Sequence, residues 1–81
     1  MKKVKQMTAL ELKEIFLAGQ TIIRQASILG VPAFETDKIK GICSKAVGDM
    51  YVDACREIMF REDGILIPIQ DLILNHLVNN I

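Results

Sequence analysis

The stretch CSKAVGDMYVDACREIMFR, residues 43–61, decides how this chain folds. At 100° per residue, Cys43, Val47, Met50, Tyr51, Ala54 and Ile58 fall within one arc of about 100°. Asp49, Asp53 and Arg56 gather well away from that arc. Glu57 and Arg61 stand four apart, a spacing worth about 0.3–0.5 kcal/mol for an exposed pair. The pattern is an amphipathic helix with its buried face defined. Thr36 or Asp37 offers an N-cap upstream, and Asp63-Gly64 a turn downstream. The helix is therefore expected from about 36 to Arg61, as the central and longest element.

Two further helices flank it. Thr8, with Glu11 three residues on, makes a capping-box pattern, so a first helix is expected from Thr8 to about Leu29. Gly30 supplies its stop and Pro32 prevents continuation. After Asp63-Gly64 comes Ile65-Leu66-Ile67, a β-prone run expected as a short extended connector. Pro68 suits the first turn of a third helix that runs through Asp71, Leu72, Ile73 and Leu77 to the C-terminus. The expected fold is all-α: one three-helix domain over residues 1–81, with 1–7 flexible, a long central helix and an extended segment at about 65–67.

Both long helices carry more apolar or small-residue surface than one core contact needs. On the first, Leu12, Ile15, Phe16, Gly19, Ile22, Ile23, Ala26 and Leu29 build a broad core face. Leu10, Leu17 and Ile28 form a ridge on the opposite side, which reads as an intermolecular face, against the plainer reading of isolated surface apolar residues. On the second, Gly41, Ser44, Gly48 and Cys55 make a narrow stripe with Val52 at its margin. An interior glycine costs about 1 kcal/mol relative to alanine. The stripe reads as a close helix–helix crossing, between two copies of the chain among other options, that would offset that cost, against the plainer reading that Gly41 frays the helix start and Gly48 is merely tolerated.

Composition sets outer bounds. The chain has 81 residues, 51% of them hydrophobic, and ten basic side chains balance ten acidic ones. A chain this short buries only roughly 60–65% of its unfolded surface, so its core is thin and self-association is the usual way to cover the excess. Residues 1–48 hold eight Lys/Arg against four Asp/Glu, and residues 49–81 hold two against six. This is a dipolar molecule, not the polybasic kind that grips a phosphate backbone. Glu11, Lys13 and Glu14 fall where a signal peptide would need an apolar run. The longest stretches without Asp, Glu, Lys or Arg are ten residues, 25–34 and 72–81, far short of a membrane span. The expected compartment is the cytoplasm, where Cys43 and Cys55 would be buried or free thiols.

Candidate chemistry is sparse. Cys43, Cys55 and His76 lack the close pairing of a zinc site, and a calcium loop aligned on Asp63-Gly64 would put Met59 and Gln70 at ligand positions. No nucleophile elbow or phosphate-cradling glycine loop occurs. Asp49, Asp53 and Glu57 repeat every four residues, which reads as a solvated face or as an acidic docking stripe for a basic partner. Ala26, Leu29, Gly30 and Val31 match the turn spacing of a helix-turn-helix unit, with residues 33–40 as recognition element and Lys38 and Lys40 as its DNA contacts. Gln25 at a position normally buried, and Glu35 and Asp37 facing phosphate, oppose that reading.

The chain is therefore read as a small non-enzymatic cytosolic interaction or regulatory protein, an adaptor or inhibitor, with no cofactor and no membrane. Its expected partners are another protein and itself, as a homodimer. The alternative is a helix-turn-helix transcriptional regulator bound to nucleic acid.

Overall fold

The computed structural model describes residues 3–31, 33–35 and 43–79. In chain order these form a 3-10 turn at Val4–Gln6, helix α1 at Ala9–Leu29, strand β1 at Phe34–Glu35, strand β2 at Cys43–Ser44, helix α2 at Lys45–Phe60 and helix α3 at Ile67–Asn79. The fold is all-α with three helices; the two strands are a two-residue parallel pairing, Phe34 opposite Cys43 and Glu35 opposite Ser44.

Helix α1 follows from its ends. The Thr8 hydroxyl accepts the Glu11 N–H at 3.2 Å, and the Glu11 carboxylate accepts the Thr8 N–H at 3.0 Å, so two donors that the first turn leaves over are satisfied reciprocally. At the other end Gly30 takes φ 70°, a left-handed conformation that suits glycine. Its N–H reaches the Ser27 carbonyl while the Val31 N–H reaches that of Ala26, which closes the helix as a Schellman motif. Pro32, the second expected stop signal, lies outside the described residues.

The central helix is not the longest: α1 has 21 residues and α2 has 16. The helical period runs back through Cys43 and Ser44, but their backbone is paired with Phe34 and Glu35 instead, so α2 begins at Lys45. Backbone donors and acceptors need partners, and helical spacing in the sequence does not reveal that others were available. The expected start at Thr36 or Asp37 falls outside the described residues. Ile65-Leu66-Ile67 is not extended either. Asp63 bends it: its carboxylate accepts the Ile65 N–H and its carbonyl the Leu66 N–H, both at 2.9 Å. This turn overrides the strand preference of β-branched side chains. Ile67 already belongs to α3, and Pro68 sits in its first turn as expected.

The core runs between α1, α2 and the start of α3. Leu12, Ile58 and Leu66 are its fully buried large side chains, joined by Met7, Phe16, Ala54 and Ile69. Gly19 makes the α1–α2 crossing possible. A Cβ there would lie 2.1 Å from Tyr51 Cδ2 and 2.9 Å from Cγ. The Tyr51 ring fills the space, with its centroid 6.0 Å from that of Phe16. The leader expected to be flexible instead supplies the turn at Val4–Gln6, which packs on α2, and places Met7 in the core. The molecule is flat, 38 × 32 × 18 Å, with a radius of gyration of 13.1 Å against about 11.7 Å for a compact domain of this length.

Candidate interaction surfaces

The α1 ridge stands where its spacing put it. Leu10, Leu17 and Ile28 are 56%, 48% and 84% exposed, while Leu12, Phe16, Gly19 and Ala26 on the opposite face are buried. The core face is less complete than its pattern towards the end of α1, where Ile23 and Leu29 are exposed. Lys13 and Arg24 flank the ridge on one side and Glu14 on the other, at angles read from the helical period.

The small-residue stripe is described only in part. Gly41 lies outside the described residues and Ser44 lies in β2. Gly48 is buried within the protomer, Val52 is exposed, and Cys55 is half-buried beside Tyr51. The close crossing that the sequence suggested occurs at Gly19 of α1. In the acidic stripe, Asp49 and Asp53 are exposed beside Lys3 and Lys5 along a shallow groove that also takes in Val4 and Met50. Glu57 is committed elsewhere, since its carboxylate pairs with Arg61 Nε at 3.1 Å. Lys38 and Lys40 are not among the described residues. Of the proposed recognition element, Phe34 and Glu35 are extended, and residues 36–40 lie outside the described residues.

One surface escaped the sequence pattern. Where α2 turns into α3, Met59, Phe60, Gly64, Ile67 and Gln70 line a cavity of about 590 Å³ rimmed by Glu62 and Asp63. Phe60 is 86% exposed and Ile67 54%. The corner is built by two side chains reaching backbone carbonyls. Gln70 Nε2 donates to the carbonyls of Ile58 and Arg61, at 2.7 Å each, and so satisfies acceptors that the end of α2 leaves over. Arg61 donates through its guanidinium to the carbonyls of Val4, Lys5 and Met7, fastening the N-terminal turn to the same corner. Glu57 orients it from one helical turn back. The only sequence signal was Phe60 itself, an aromatic side chain on the polar arc of an amphipathic helix.

A third cluster is inward. The Tyr51 hydroxyl accepts from Gln20 Nε2 and lies against Cys55. Burial, then the neighbouring Cys55, pushes the tyrosine up to about 12. Burial likewise raises the Cys55 thiol, which stays protonated at neutral pH and is a poor nucleophile. Among the described residues no three His, Cys, Asp or Glu side chains are grouped to hold a metal ion, and no helix is long and apolar enough to cross a membrane.

Surface area ties these observations together. The chain exposes 6001 Å², against about 4,900 Å² for a compact monomer of 9.1 kDa. The excess of about 1,100 Å² exceeds the roughly 800 Å² that each partner buries in a standard protein–protein contact. No family model, curated protein or solved structure matches this chain.

Proposed function

We propose that this chain is a small non-enzymatic regulatory protein, an adaptor or inhibitor of the cytoplasm, which acts by protein–protein binding and self-associates, with the homodimer as its smallest assembly. The observation that carries the reading is the excess of exposed surface, together with large apolar side chains exposed on all three helices, two groups of which stand out. The α1 ridge gives Leu10, Leu17 and Ile28, and the α2–α3 corner gives Phe60 and Ile67. Monomers rarely leave such patches uncovered, because burial recovers roughly 25 cal/mol for each Å² of apolar surface. Surface complementarity, not bond chemistry, is then the mechanism, and the partner protein would engage whichever patch self-association leaves open.

Sedimentation over a concentration series tests this. Mass rising from 9.1 kDa towards at least twice that value through the micromolar range is the expected result. A single species of 9.1 kDa up to high micromolar concentration overturns the self-association on which the reading rests.

A further inference from the structure

We propose that the occupant of the α2–α3 corner is the outer ridge of α1 from a second copy of this chain. This inference rests on the self-association just proposed and specifies which surface meets which. Charge makes the selection. At the corner Glu62 and Asp71 are exposed and Asp63 is half-buried. Arg61 is consumed by Glu57 and by three carbonyls, which leaves Arg56, exposed one turn before Phe60, as the cation set against these three acids. The corner is therefore an apolar patch in a negative field. The α1 ridge carries Lys13 and Arg24 against Glu14, an apolar patch in a mildly positive field.

The chain as a whole repeats the asymmetry: eight cations against four acids over residues 1–48, and two against six over residues 49–81. Corner against corner would press acid on acid with its apolar patch, whereas corner against ridge brings unlike charges around two apolar surfaces. Like-charge juxtaposition suppresses the wrong pairing and opposite charge sets the right one. Where each copy both gives its ridge and receives one, the pair closes as a dimer; where geometry prevents closure, the same contact propagates.

The test uses Leu17→Glu and Phe60→Glu in the full chain. Both side chains are exposed, and thermal melts matching wild type establish that the fold is intact; Leu17→Ser and Phe60→Ser serve as the milder pair if either melt changes. Leu17→Glu sets an acid against the acidic corner, and Phe60→Glu removes the corner's main exposed apolar side chain, so each alone is expected to weaken self-association roughly tenfold or more. An equimolar mixture is expected to recover mass above 9.1 kDa, because the Phe60→Glu copy keeps a sound ridge and the Leu17→Glu copy a sound corner. Rising salt should loosen the wild-type assembly. A mixture that stays monomeric, a single variant that keeps the wild-type mass, or a wild-type assembly that tightens with salt overturns the inference while leaving self-association standing. A monomeric wild type overturns both.

Discussion

The α1–α2 crossing and the α2–α3 corner hold the same helix by different physics. At the crossing, α2 is fixed by shape: Gly19 vacates the space that the Tyr51 ring fills, and the contact tolerates nothing larger. At the corner, α2 is fixed by hydrogen bonds from two side chains, Arg61 and Gln70, that reach five backbone carbonyls between them. The difference decides what each region can present. A steric contact is buried and complete. A polar clamp holds its backbone from one side and leaves apolar neighbours such as Phe60 and Ile67 facing outward. The crossing is closed on both sides, whereas the corner buries Ile58, Leu66 and Ile69 and turns Phe60 and Ile67 outward.

The largest effect should come from breaking the crossing. Gly19→Ala forces a Cβ to within 2.1 Å of a ring atom, and the 2.9 Å approach to Cγ, the root of the ring, means that a swing of its tip gives no escape. Overpacking of this kind costs about 2–3 kcal/mol, read as a fall in the urea midpoint. In a Tyr51→Ala background the clash is gone and the sign should reverse, because alanine is favoured over glycine within a helix by about 1 kcal/mol. A cost that persists in that background would show that Gly19 is needed for its backbone and not for its lack of a side chain.

Breaking the clamp should cost less. Arg61→Ala leaves the carbonyls of Val4, Lys5 and Met7 without their donor, but the site is partly open and water replaces some of the bonding, so a loss of about 1–2 kcal/mol is expected. The loss should be local as well, with hydrogen exchange accelerated over the Val4–Gln6 turn more than over α1. Arg61→Lys should recover less than half, since an ammonium lacks the forked donors that span three acceptors. Uniform acceleration over all helices would mean that the corner is a structural part of the crossing and not a separate clamp.

The two regions were also unequally legible in the sequence. Local features with a fixed spacing were readable: Thr8 with Glu11, the Gly30 stop, Pro68 in its first turn, the Glu57–Arg61 pair, and the opposition of Leu17 to Leu12 and Phe16 around α1. The pattern also placed Gly19 and Tyr51 on core faces, though not against each other. What resisted reading was bonding across long stretches of chain. Arg61 reaches carbonyls 54 to 57 residues away, and no periodicity records a side chain bound to backbone at that separation. The pairing of Cys43 and Ser44 with Phe34 and Glu35 was hidden for the same reason, and it shortened α2. Phe60 stands on the polar arc of α2, and only the turn at Asp63 brings Ile67 to the same corner.

The smallest expected effect follows from ionisation at the crossing, and it tests whether that region is as closed as its geometry. Tyr51 is the one tyrosine and the chain has no tryptophan, so the tyrosinate absorbance band reports this residue alone. In the folded protein the midpoint should lie near 12, because burial and then the neighbouring Cys55 disfavour the phenolate more than the Gln20 hydrogen bond favours it. In denaturant it should return to about 10. A group whose pKa is raised on folding contributes stability that is intact below its unfolded value and is lost as pH climbs through the folded one. Cys55, raised in the same sense, begins the decline at lower pH, from its ordinary value near 9. Melting temperature should therefore hold level to about pH 9 and fall through the range up to 12, with Tyr51→Phe flattening the part above 10. A tyrosinate midpoint near 10 in the folded chain would mean that water reaches the hydroxyl freely. Tyr51 would then seal the crossing against α1 by its ring alone, with its polar end belonging to the surface.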